Sequence, residues 1–444
     1  CPGVNGLVYS VPAVPMSMPF GGAVEFVWSV PAQLTIASGQ GTRQITVNVD
    51  GSSGNRNISV YLRYVNNPTC NSNSRNTTLA VYSTTHDPGT ITGSGICPGG
   101  TVSISSAAAA TTGAPASSGP TYSWARAPGP AFSVWTGLAG TGATFSETLP
   151  ATGTYRYRRT ATFGCGAPVS TTVDIPVYST VHNPGAISGS NICAGGSVSI
   201  TNSTSASTGT PASSGPTYSW DRATGPGFGT WTSLSGTGAT FSQTVSTPGV
   251  YRYRRTATFG CGSPVSTTVD VTVFSTTHDP GTIAGSNICP GSTVSITSTA
   301  AATTGTPAST GPTYSWRRAP GPGFSSWTNL AGSGATFSET MSVPGTYRYQ
   351  RRAAFGCGST VTASVDVQVY STTHNAGAIS GANACAGGTV TISSTTAAST
   401  GTPASSGPTY SWERAPGPGF SSWTARPGTG SSLSETVASP GTSR

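Results

Sequence analysis

Apolar residues along most of this chain recur at every second position, not at every third or fourth. Val169, Thr171, Val173, Ile175 and Val177 alternate with Ser170, Thr172, Asp174, Pro176 and Tyr178. The run returns at Val265, Val269, Val271 and Val273, and again at Val361, Val365, Val367 and Val369. Such alternation is a β-strand with one buried face. Pro176 has no N–H to give to a ladder, so this strand is expected at a sheet edge or bulged at that point. Shorter alternations appear at Val102 and Ile104, at Tyr122 and Trp124, and at Tyr155 and Tyr157. Turn clusters such as Pro98-Gly99-Gly100 and Ala127-Pro128-Gly129-Pro130 punctuate them. The pattern predicts about seven strands in this stretch, at 89–93, 101–106, 121–126, 132–138, 144–149, 154–163 and 169–179. Seven short strands in a domain of this size imply an all-β sandwich. Trp124, Trp135, Phe132, Phe145, Tyr155 and Tyr157 are expected to supply an aromatic-rich core.

The stretch is one copy of a repeat. Cys97, Cys193, Cys289 and Cys385 are spaced by 96 residues, as are Trp124, Trp220, Trp316 and Trp412, and no insertion disturbs the register. Cys165, Cys261 and Cys357 keep the same interval, and so do His86, His182, His278 and His374. A period of 96 is a whole sandwich domain, not a solenoid turn. The units are therefore 86–181, 182–277, 278–373 and 374–444. The last is read as a truncated copy, because Pro440-Gly441-Thr442 stops where Pro344-Gly345-Thr346-Tyr347 continues. Residues 1–85 form a diverged relative: Cys1 precedes Trp28 by 27 positions, as Cys97 precedes Trp124, and Cys1 precedes Cys70 by 69 against 68 from Cys97 to Cys165.

Composition narrows the class. Charged residues make up 7% of the 444 positions, where an ordinary soluble domain has about 25%. Gly (59) and Pro (34) are abundant, but the strict period argues for folded domains over low complexity. The net charge of +8 comes from 20 basic residues, all of them arginine. The absence of lysine excludes Schiff-base chemistry, a phosphate-loop lysine and Lys-to-Asn isopeptide crosslinks, so covalent reinforcement must come from cysteine. The arginines recur at a regular interval instead of forming one basic run, which speaks against nucleic acid as a partner. No apolar run reaches the length of a membrane span, and no secretion signal opens the chain.

Nine cysteines suit an oxidising compartment. A self-contained domain should close its own loop, which would pair Cys1 with Cys70, Cys97 with Cys165, Cys193 with Cys261 and Cys289 with Cys357. The rival is pairing across unit boundaries, Cys70 with Cys97, Cys165 with Cys193, Cys261 with Cys289 and Cys357 with Cys385. Both leave one cysteine over. None has a second Cys or His two to four residues away, so neither a metal site nor a cofactor is expected. The Thr85-His86-Asp87-Pro88-Gly89 motif reads as a turn at the domain junction, with Asp87 or Asn183 capping the backbone before proline. The Ser/Thr/Ala/Pro stretch 105–120 reads as a long polar loop. On the strand around Tyr155 and Tyr157, alternation turns Arg156 and Arg158 to the opposite face, with equivalents at Arg252, Arg254 and Arg348; position 350 is Gln. That face is either a solvated or cation–π surface, or a repeated patch for assembly or for acidic polysaccharide.

Catalysis is not expected. The 12 carboxylates recur singly, as at Asp174, Asp270 and Asp366, without the paired neighbours of acid–base chemistry. His-Glu-x-x-His, Gly-x-Ser-x-Gly and phosphate-loop motifs are all missing.

The motifs carry a resemblance. Ile96-Cys97-Pro98-Gly99-Gly100-Thr101-Val102, Thr121-Tyr122-Ser123-Trp124, Gly142-Ala143-Thr144-Phe145, Tyr155-Arg156-Tyr157-Arg158-Arg159 and Phe163-Gly164-Cys165 resemble the Ig-like repeats of large Bacteroidetes cell-surface proteins. Phe26-Val27-Trp28-Ser29-Val30-Pro31-Ala32, Ile36-Ala37-Ser38-Gly39-Gln40-Gly41-Thr42 and Ile45-Thr46-Val47-Asn48-Val49 resemble their PKD-like module. The resemblance implies export, often by the type IX route, an extracellular location, and a role as a surface fibre, stalk or adhesin. The expectation is a non-enzymatic structural protein that associates with itself into a fibre. The alternative is a multivalent adhesin binding polysaccharide or other cell-surface components.

Overall fold

The computed structural model describes residues 1–13 and 22–444 and is built from β-strands throughout. The first domain comprises β1 (Leu7–Ser10), β2 (Val24–Ser29), β3 (Leu34–Ser38), β4 (Gln44–Val49), β5 (Gly54–Tyr64), β6 (Asn67–Asn71) and β7 (Arg75–Val81). One sheet has the order β1-β4-β3; the other has β2-β5-β6, with β7 also on β5. Alternation explains the core: Ile45, Val47 and Val49 of β4 meet Phe26, Trp28, Ile58, Val60 and Val81. The indole N–H of Trp28 is satisfied by the Thr42 carbonyl at 2.9 Å.

The first repeat follows with β8 (His86–Asp87), β9 (Thr90–Gly93), β10 (Gly100–Ala108), β11 (Thr111–Thr112), β12 (Thr121–Pro128), β13 (Thr136–Leu138), β14 (Phe145–Leu149), β15 (Gly153–Thr162) and β16 (Val169–Val177). A three-stranded sheet, β14-β10-β9, faces a four-stranded sheet, β13-β12-β15-β16, while β8 and β11 form a separate two-stranded ribbon. All seven expected strands are present, and the repeat is an Ig-like sandwich. The ribbon was not expected, because two-residue strands carry no period. Strand β13 begins four residues later than the sequence suggests, since Phe132 adopts a left-handed backbone (φ 50°) that no strand tolerates. Strand β16 is the edge that Pro176 requires. There the Pro176 carbonyl accepts the Ile96 N–H at 3.0 Å, and Ile96 pairs with Val177 in parallel.

The core of this repeat contains Val102, Ile104, Trp124, Tyr157, Ile175 and Val177. The Trp124 indole donates to the Gly142 carbonyl at 2.9 Å, and the Tyr157 hydroxyl to Glu147 at 2.5 Å. Burial and that carboxylate push the Tyr157 phenol well above its usual range. Trp135 and Phe132 do not join the core; both lie half-buried on the outer face of the four-stranded sheet.

The chain divides into two compact units. One comprises residues 1–186, 203–219 and 255–267, and the other residues 187–202, 220–254 and 268–444. The first contains the first domain and the whole first repeat. The second contains the whole repeat at 278–373, with the same two sheet orders and the core Val294, Ile296, Trp316, Tyr349, Val367 and Val369. The repeat at 182–277 contributes segments to both.

One inward side chain in each of the three repeats between 86 and 373 is an arginine. Alternation that buries Tyr155 and Tyr157 also buries position 159, and Arg159, like Arg255 and Arg351, is essentially inaccessible (0%, 0% and 1% exposed). Among the described residues, no carboxylate pairs with Arg351. Instead its guanidinium donates to Ser298 Oγ at 2.7 Å and to the carbonyls of Pro280 (2.8 Å), Ala335 (3.2 Å) and Ala300 (3.3 Å), and lies over the Tyr314 ring. Carbonyl dipoles thus offset the desolvation of a fixed cation. They also tie the entry segment at Pro280 to both sheets. Arg351→Met keeps the apolar stem but leaves these acceptors unpaired. It should destabilise that repeat by roughly 3 kcal/mol or more, since each buried orphan costs about 1–3 kcal/mol. Hydrogen exchange along Gly345–Ala354 in the full chain measures this, and protection within about 0.5 kcal/mol of the parent would contradict the role assigned to the arginine.

Candidate functional site

The feature that recurs with the greatest chemical definition is the junction where one domain follows another. Where the first domain gives way to the first repeat, the linker after β7 docks on its successor. The Ser83 N–H donates to the Pro115 carbonyl at 2.9 Å and the Gly113 N–H to the Thr85 carbonyl at 3.0 Å. Ser83 Oγ closes a local turn by accepting the Thr85 N–H at 3.1 Å. His86 stacks on Phe163 with ring centroids 4.3 Å apart. Asp87 accepts the Gly89 N–H at 2.8 Å, which is the expected cap before proline.

The tautomer of these histidines follows from their partners. At the next junction, His182 Nε2 lies 2.6 Å from the Cys261 carbonyl, which can only accept, so Nε2 carries the proton. In the neutral ring, Nδ1 then accepts the Thr208 hydroxyl at 3.0 Å. Gly166 and Gly262, with φ of 90° and 85°, let this happen: a Cβ on either would stand 2.5 Å from the histidine Nε2. The stretch 105–120 is correspondingly no free loop. Strands β10 and β11 occupy part of it, and Pro115 and Ser118 bind the linker and the Gly164 turn through their carbonyls.

The same construction, histidine stack included, recurs twice more. Ser179 donates to Pro211 at 2.8 Å and Gly209 to Val181 at 2.9 Å, and His182 stacks on Phe259. In the second compact unit, Ser275 donates to Pro307 at 3.0 Å and Gly305 to Thr277 at 2.9 Å, and His278 stacks on Phe355.

Each of these three junctions carries a disulfide, and the connectivity corrects both sequence-based pairings. The bonds are Cys1–Cys165, Cys97–Cys261 and Cys193–Cys357, each across a sequence separation of 164. The first cysteine of a domain is joined to the second cysteine of its successor. Cys70 and Cys289, expected in bridges, are free and exposed, as is Cys385. The physical reason lies in β16. Cys97 follows Ile96, which pairs with Val177 at the end of that strand, whereas Cys165 precedes its start at Val169. The strand between them, at nine residues, separates the two by about 30 Å. A disulfide needs Cα atoms within about 7 Å, and those of Cys97 and Cys261 are 5.4 Å apart.

The five arginines singled out as an assembly or ligand face lie on the outer surface of the larger sheet of each repeat, already engaged. Arg156 forms a bidentate pair with Asp174 (2.6 and 2.7 Å) over the Phe132 ring at 4.1 Å. Arg252 and Arg348 do the same with Asp270 and Asp366, over Phe228 and Phe324. Arg158 covers Trp135 and Arg254 covers Trp231, at 4.2 and 4.1 Å. At the Gln350 copy the cation moves to the neighbouring strand. Arg317, the cross-strand partner of Gln350, covers Trp327 at 4.3 Å and donates to Gln350 Oε1. The cation over the tryptophan is kept although its strand changes.

Among the described residues, no group of three or more His, Cys, Asp or Glu side chains comes together to hold a metal, and no helix is long and apolar enough to cross a membrane.

These observations define the chain as a tandem array of Ig-like β-sandwiches with disulfides at its junctions. Residues 1–81 match the family described as PKD-like domain. Among solved structures, the chain is similar to three N-terminal domains of the highly immunogenic outer capsid protein of bacteriophage RB49, at 14% identity and a TM-score of 0.33, over 65% of this chain and 99% of that one. It is similar to immunoglobulin domains 1–5 of Sidekick-1, at 14% identity and a TM-score of 0.32, over 82% and 77%. Domains A168–A170 of titin match at 14% identity and a TM-score of 0.30, over 65% and 94%. At such scores the fold assignment rests on the chain's own strand order. No curated protein sequence matches the chain.

The outer-face pairs give a pH prediction. Hydrogen bonding from Arg252 holds the Asp270 carboxyl below its ordinary value. A depressed carboxylate stabilises the fold above its unfolded pKa, and that contribution is lost as pH falls through the folded value. Thermal melts of the parent and Asp270→Asn should therefore differ slightly near pH 6 and converge by about pH 2. A difference that persists unchanged in acid would show that something other than the carboxylate charge is at work.

Proposed function

We propose that this chain is a segment of an extracellular, non-enzymatic structural protein whose tandem Ig-like domains build a cell-surface fibre by self-association. The observation that carries the reading is the run of three disulfides at a constant separation of 164 residues, each joining consecutive domains. Bridges of this kind belong to an oxidising compartment, and a binding module would gain little from locking every junction alike. Near-identical units at a fixed interval offer equivalent surfaces for regular lateral or head-to-tail packing. The PKD-like first domain fits an exported surface protein. Engagement of the Arg156 and Arg158 faces by Asp174, Phe132 and Trp135 favours a structural role over capture of acidic polysaccharide.

Electron microscopy of native, unreduced material tests the reading. Uniform filaments with an axial repeat commensurate with the domain array are expected. Dispersed single chains that bind a glycan saturably would replace the fibre with a multivalent adhesin.

A further inference from the structure

We infer that the staggered disulfides form a covalent tension path that bypasses the domain cores, so that the bridged domains cannot lengthen the chain when it is pulled. The inference concerns the mechanics of the array and holds whether or not the array assembles into a fibre.

The argument is one of connectivity. Starting at Cys1, the Cys1–Cys165 bridge leads directly to Cys165 in the first repeat. The backbone then runs only from Cys165 to Cys193, where the Cys193–Cys357 bridge leads to Cys357. Without bridges, the whole backbone from Cys1 to Cys357 separates the same two ends. At a maximum of about 3.3–3.6 Å per residue, the bridged path reaches roughly 100 Å and the open chain roughly 1,200 Å, about a twelvefold difference. A second thread, offset by one domain, runs from Cys97 across its bridge to Cys261 and on to Cys289.

More than half of the segment from Cys165 to Cys193 that bears the load is already in strands. Strand β16 and the strands His182–Asn183, Ala186–Gly189 and Ile192–Cys193 make up most of it, all in extended conformation. A strand rises about 3.2–3.4 Å per residue, so pulling those strand residues taut gains little. The strands that form most of the core of the first repeat, β10 to β15, all lie between Cys97 and Cys165 and therefore off this path. They could unfold without releasing length, whereas in an unbridged array each unfolded domain would release its whole contour.

Force spectroscopy of the full chain, held by its amino and carboxyl termini, tests the inference. With bridges intact, the shortest covalent path consists of the backbone from Cys165 to Cys193 and from Cys357 to Arg444. Reduction opens the entire chain, so the fully extended contour should grow roughly fourfold. Cys193→Ser removes one bridge and leaves the other two. The shortest route from Cys165 then runs back to Cys97, across to Cys261 and on to Arg444, which should roughly double the contour. Both are measured at forces that unfold the reduced chain. Equal contours for the unreduced and reduced chains, or no gain in Cys193→Ser, would overturn the inference.

Discussion

Much of the array's organisation follows from one backbone pairing, the parallel bridge between Ile96 and Val177. The short segment after β9 leaves the sheet of β10 and pairs with the end of β16, with Ile96 N–H on the Pro176 carbonyl and Tyr178 N–H on the Ile96 carbonyl at 2.9 Å. Proline at 176 leaves that edge open to a partner at its carbonyl without competing for its missing N–H. The consequence is positional: Cys97 sits where the chain leaves the domain. From there it meets the Phe-Gly-Cys-Gly turn of the next domain, not that of its own. The equivalent pairings Ile192 with Val273 and Ile288 with Val369 carry Cys193 and Cys289 to the same place.

A chain so poor in charge uses its cations internally. Each of the three repeats between 86 and 373 buries one arginine and holds two cations on the outer sheet over aromatic rings. The inner one fixes the entry segment and the outer ones cover Phe and Trp side chains that would otherwise be exposed apolar surface. Phe132 and its equivalents Phe228, Phe324 and Phe420 hold left-handed backbones, with φ between 46° and 50°, in the turn that brings the ring beneath the guanidinium. Holding a non-glycine residue there costs about 1–3 kcal/mol, which the stack offsets in part. The junction disulfides add to this on a larger scale. Chain-entropy accounting gives about 5 kcal/mol for one loop of 164 residues, although overlapping loops do not simply add.

Period-two alternation made the strands, the edge at Pro176 and the buried faces of Val173 and Tyr157 legible in the sequence, because one-sided burial writes itself into every second residue. The same parity would have placed Arg159 inside, but a charged side chain invites an outward reading unless its acceptors are known. Trp135, expected in the core as one of the two tryptophans each unit carries, instead lies beneath Arg158 of β15, a contact that sequence spacing does not show. The disulfides depart from both expected pairings for a related reason. The interval from Cys97 to Cys165 within one unit is conspicuous, whereas the longer interval from Cys97 to Cys261 becomes meaningful only once Ile96 is seen to pair with Val177. At the His86 motif the Asp87 cap before proline is as the sequence implies, but His86 itself lies in β8, and its stack on Phe163 and bond to the Cys165 carbonyl join residues at opposite ends of the repeat.

Covalent coupling of consecutive domains depends on disulfide connectivity, and tryptic mapping of unreduced protein with free thiols blocked in acid reads it directly. Cleavage after arginine places Cys97 in peptide 76–126, Cys165 with Cys193 in 160–222, and Cys261 with Cys289 in 256–317. The structure predicts that 76–126 is recovered joined to 256–317, and that peptide 1–43 is recovered joined to 160–222. Recovery of 76–126 joined to 160–222 would instead mean that each domain closes its own loop, and the covalent coupling of consecutive domains would be lost.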